Sequence, residues 1–111
     1  MTIPKITIDQ LISEIRRLAT ENPDHAAVCK YVNINKQPVC IVGVAFYNLG
    51  ISIDILFSFE DRVVRELIDG LVVHEGVRSF PKEAWCSDVQ SHQDLGETWG
   101  DSVRKADLNG D

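Results

Sequence analysis

From Thr7 onward the apolar residues Ile8, Leu11, Ile12, Ile15, Leu18 and Ala19 recur every three or four positions, with Asp9, Glu14, Arg16 and Arg17 between them. That spacing gathers the apolar side chains on one stripe of a helix and turns the charges to the other side. Thr7 and Gln10 have the spacing of a capping box. Asn22-Pro23 ends the helix, because a residue before proline is pushed out of helical geometry.

Beyond this helix the pattern changes. Residues 26–34, with Val28, Tyr31, Val32 and Ile34, favour an extended chain, and the polar residues 35–38 make a turn. Residues 39–50 carry two signals: β-branched Val39, Ile41, Val42 and Val44 favour a strand, while Ile41, Ala45 and Leu49 with Gly50 behind them favour a helix. A short strand passing into a helix near Cys40 meets both. Residues 51–59 alternate Ile51, Ile53, Ile55, Phe57 and Phe59, which puts five apolar groups on one face of a strand. Ser58 then caps a helix from Phe59, with Val63, Val64, Leu67 and Ile68 inward and Gly70 at its end. A short strand at Leu71, a turn at Glu75-Gly76 and a loop through Pro81 follow.

Near the C-terminus Ser87 with Gln90, and Thr98 with Asp101, mark two helix starts, and Gly96 between them supplies a left-handed closing residue. Trp99, Val103 and Ala106 share a face of the second helix, where Trp99 plugs the end of the core. The expected fold is α+β: a small antiparallel sheet of two or three strands packed by an N-terminal helix, a central helix and a C-terminal helix pair.

Composition adds limits. The 111 residues suit one domain with a modest core, spanning 1–111, with 107–111 as a flexible tail. No apolar run approaches the roughly 18 residues of a membrane span, and the first ten residues lack the features of a secretory leader, so a cytoplasmic protein is expected. The net charge of −6 speaks against direct nucleic-acid binding, which needs clustered lysines and arginines.

The central and C-terminal segments together resemble small, largely uncharacterised proteins encoded by phages of actinobacteria. The matching residues are Pro38, Cys40, Ile41, Val42, Gly43 and Leu49-Gly50, then Val89, Gln90, Gln93, Asp94, Gly96 and Trp99. The segment from Ile53 to Trp85 has no counterpart in that pattern. The resemblance implies a phage gene acting inside a bacterial host, and no reaction.

Candidate chemistry is sparse. Cys29, Cys40 and Cys86 have the spacing of neither a disulfide framework nor a zinc site. Cys40 gains reactivity at a helix N-terminus but otherwise reads as a buried thiol. His74-Glu75 and the pair Asp88 and His92 are acid-imidazole neighbours, each read as a surface ion pair. Asp107 to Asp111 begins like a calcium loop and lacks its closing glutamate. No glycine-rich phosphate loop is present. No metal, cofactor or catalytic residue is therefore expected.

Binding remains. Ile53, Ile55 and Phe57 loosely resemble the apolar positions of peptides that enter the bacterial sliding clamp, although Ser52 stands where those favour glutamine. Phe80 and Trp85 flank a second aromatic segment of the kind that anchors interfaces. The leading expectation is a non-enzymatic phage accessory protein that binds, and in one version inhibits, a host protein, with the sliding clamp one candidate. The alternatives are an acidic nucleic-acid mimic using Asp54, Glu60, Asp61, Glu66 and Asp69, and an enzyme built around Cys40 or His92.

Overall fold

The structure is a computed structural model that describes residues 5–26, 40–59, 63–73 and 78–109. Its elements are α1 (Ile8–Glu21), α2 (Ile41–Asn48), α3 (Ile53–Ser58), α4 (Val64–Leu71), α5 (Phe80–Asp94) and α6 (Trp99–Asn109). With 73% helix and neither strand nor sheet among the described residues, the fold is all-α, which corrects the α+β expectation. Among the described residues a single parallel bridge joins Ile6 to Val72, where the Val73 N–H donates to Ile6 O at 2.8 Å. The strand expected at residues 26–34 falls outside the described residues, apart from Ala26.

The correction is sharpest at residues 51–59. Ser52 caps α3 by accepting from the Ile55 N–H at 3.3 Å, so the alternating apolar groups wind around a short helix instead of lining one face. A short apolar run looks the same in a buried helix as in a strand, and a cap residue decides between them. Ser58 closes α3 instead of opening the next helix, and α4 starts at Val64 behind the uncapped Val63. Its buried face is Val64, Leu67, Ile68 and Leu71, so the helix runs one residue past Gly70.

α1 follows its sequence pattern closely. Thr7 Oγ1 accepts from the Gln10 N–H, Gln10 Oε1 accepts from the Thr7 N–H, and Leu11, Ile15, Leu18 and Ala19 are buried. α2 is capped by Cys40, whose Sγ accepts from the Gly43 N–H at 3.2 Å. Ile41, Val42, Ala45 and Phe46 are all buried, as in a helix covered on nearly every side. The strand half of that reading, at Val39, lies outside the described residues.

α5 begins much earlier than expected. Ser79 caps it, and Pro81 occupies the first turn, where a missing N–H breaks no helical bond. Ser87 is therefore an interior residue of α5, not a cap. Leu95 and Gly96 (φ 92°) end the helix, and Thr98 Oγ1 accepts from the Asp101 N–H at the start of α6. α5 and α6 pack as an intimate hairpin. α1 lies against α2, α5 and α6, and α5 also touches α2 and α4. The shared core includes Leu11, Ile15, Phe46, Leu56, Leu67, Ile68, Val89 and Trp99. No helix among the described residues is long and apolar enough to cross a membrane.

Candidate functional site

The five residues expected to meet a partner take three different positions. Trp85 is buried, with 6% of its surface exposed. Its Nε1–H donates to Asp107 Oδ1 at 2.8 Å, and the Arg16 guanidinium lies 4.6 Å from the centre of its ring. Arg16 also grips Asp107 through two bonds of 2.8 and 3.0 Å. The Arg16 hydrogen bonds pull the Asp107 carboxyl below its ordinary range, against the opposing effect of burial, with a smaller lowering from Trp85. Trp85 thus fastens α1, α5 and α6 together and offers no free ring face. Asp107, where the sequence reading begins a tail, lies in the last turn of α6 and belongs to this clasp.

Ile53 and Ile55 are half-buried against the core, while Phe57 keeps 52% of its surface exposed. Ile53 and Phe57 are one helical turn apart. Ile55 sits about 200° around the helix from each of them, so the three apolar groups do not form one row. Phe80 is the more open aromatic, at 61% exposed.

α4 connects the regions that carry these two rings. The ring of Phe59, two residues beyond Phe57, lies so near Gly70 that a methyl group there would stand 2.9 Å from its Cζ. Next to Gly70, Asp69 accepts from Arg78 at 2.7 Å. Arg78 also bonds the buried Glu83 and holds its guanidinium 5.8 Å from the Phe80 ring centre. Val63, before α4, and Tyr47, near the end of α2, are also exposed.

The chemical candidates are committed elsewhere. Cys40 is fully buried and spends its sulfur on capping α2. Cys86 is buried too, and desolvation, helped by the Glu83 charge, pushes its thiol up to about 12, far from a thiolate nucleophile. His92 pairs with Glu97, at 2.8 Å across the Gly96 turn, and Lys105 grips the other oxygen of that carboxylate. Its partner is thus Glu97, a residue the helical spacing from Asp88 did not single out. Cys29, His74 and Glu75 lie outside the described residues. Among the described residues no three His, Cys, Asp or Glu side chains are placed to hold a metal ion.

The two resembling stretches meet at Gln93, which sequence spacing alone did not mark for a role. Its side chain is wholly buried, and its Oε1 accepts from the Ile41 N–H at 2.7 Å. Together with Cys40 it supplies acceptors for two N–H groups in the first turn of α2, those of Ile41 and Gly43. The start of α6 is satisfied likewise: the Trp99 N–H donates to His25 O and the Gly100 N–H to Pro23 O. Gln90 Oε1 and Trp99 Nε1 are buried without hydrogen-bond partners among the described residues.

Of the acidic residues considered for nucleic-acid mimicry, Asp69 is paired with a cation, and carboxylates elsewhere on the surface are paired as well. Asp69 pairs with Arg78, Asp9 with Lys82, Glu14 and Glu21 with Arg17, and Asp101 with Arg104. Asp54 is exposed on α3, and Glu60 and Asp61 lie outside the described residues. Compared with family models, curated proteins and solved structures, the chain matches none of them.

Proposed function

We propose that this chain is a non-enzymatic binding module that uses the exposed aromatic residues around α3, α4 and the start of α5 to hold a protein partner. The observation that carries the reading is the exposure of Phe57 and Phe80, with Tyr47 also exposed, while Phe46, Trp85 and Trp99 are buried. Aromatic rings left in water dominate the energetics of interfaces when a partner covers them. Arg78 beside Phe80 supplies a polar rim.

The partner is a bacterial host protein and the setting is the host cytoplasm, following the resemblance to actinobacterial phage proteins. Among host proteins the sliding clamp is the weaker candidate. Its peptide ligands present an apolar row, and an extended chain at Ile53, Ile55 and Phe57 would pull Leu56 from the core. The pairing of carboxylates with arginines and lysines likewise weighs against a nucleic-acid mimic, which needs an unbroken acidic face. Commitment of Cys40 and His92 to internal bonds weighs against an enzyme.

The test is capture from an actinobacterial lysate with the purified, folded chain as bait and Phe57→Ala and Phe80→Ala beside it. One host protein retained by the parent and lost with either variant is the expected result. A folded bait that retains nothing, or retains the same protein in all three forms, counts against the proposal.

A further inference from the structure

We draw no further inference here: the strongest candidate, the open groove of about 340 Å³ between α1 and α6 lined by Arg16, Ala19, Gly100, Val103, Arg104 and Asp107, has both guanidinium groups already matched by Asp107 and Asp101 and is not lined by either unpartnered buried polar group, so nothing in the structure shows what would cover it.

Discussion

Gln93 is a polar side chain with none of its surface in water, and its single strong acceptor contact holds the start of α2. Replacing it by leucine keeps much of the volume but leaves the buried Ile41 N–H without its acceptor. The expected loss on Gln93→Leu is about 1–3 kcal/mol, read from urea unfolding; an unchanged midpoint would mean that α2 finds another acceptor. Gly96 carries a different constraint. Its φ of 92° lies in the left-handed region, and a methyl group there would meet nothing within 4 Å, so the cost of Gly96→Ala is backbone strain alone. That substitution is expected to cost about 1–2 kcal/mol, and Gly96→Asn less, because asparagine tolerates this region. Gly96 was legible in the sequence because glycine after a helical run has one common use. Gln93 was not, because its partner lies 52 residues away and nothing local distinguishes a buried glutamine from an exposed one.

Among the elements, α1 and the start of α6 were readable for a shared reason: each begins with a hydroxyl residue and shows clear helical spacing. α3 is not legible as a helix because six residues are too few for a helical period to overrule an alternation of apolar groups, and the decisive signal is the single cap at Ser52. The start of α5 is masked in the sequence because Ser87 imitates a cap inside a helix that Ser79 and Pro81 open. α4 suggests an improvement. Its first residue follows Val63, which has the extended backbone of a cap but no side-chain acceptor. Val63→Ser is expected to raise stability by about 1 kcal/mol, seen as a higher urea midpoint; a fall would show that the Val63 side chain holds the fold despite its 63% exposure.

Acid sensitivity also belongs to the elements, through the carboxylates that tie them. Arg17 holds Glu14 below its ordinary range, with burial opposing and Asn48 of α2 assisting, while Arg16 does the same for Asp107 of α6. Both carboxyls are lowered on folding, so their stabilisation is fully present above the unfolded values near pH 4 and is lost as pH falls through the lower folded values. Stability should therefore drop below about pH 4. Asp107→Asn should flatten part of that drop in a pH series of melts; an identical acid limb would remove the Asp107 clasp from the account.

For the whole molecule, the question is which aromatic residues belong to the fold and which remain for a partner. The sequence marked Phe57, Phe80 and Trp85 together, since aromatic character alone does not reveal burial. What separates Trp85 is its indole N–H meeting Asp107 while Arg16 covers its ring, a three-helix contact spanning 91 residues. The net charge of −6 was equally legible, but its dispersal among ion pairs was not. The division of the aromatics is tested most directly by urea unfolding of Phe57→Ala, Phe80→Ala and Trp85→Ala beside the parent chain. The two phenylalanine variants should stay within about 0.5 kcal/mol of the parent, whereas Trp85→Ala should lose about 3–5 kcal/mol. Large losses in either phenylalanine variant, or a Trp85→Ala as stable as the parent, would contradict the assignment of the exposed rings to a partner and of Trp85 to the fold.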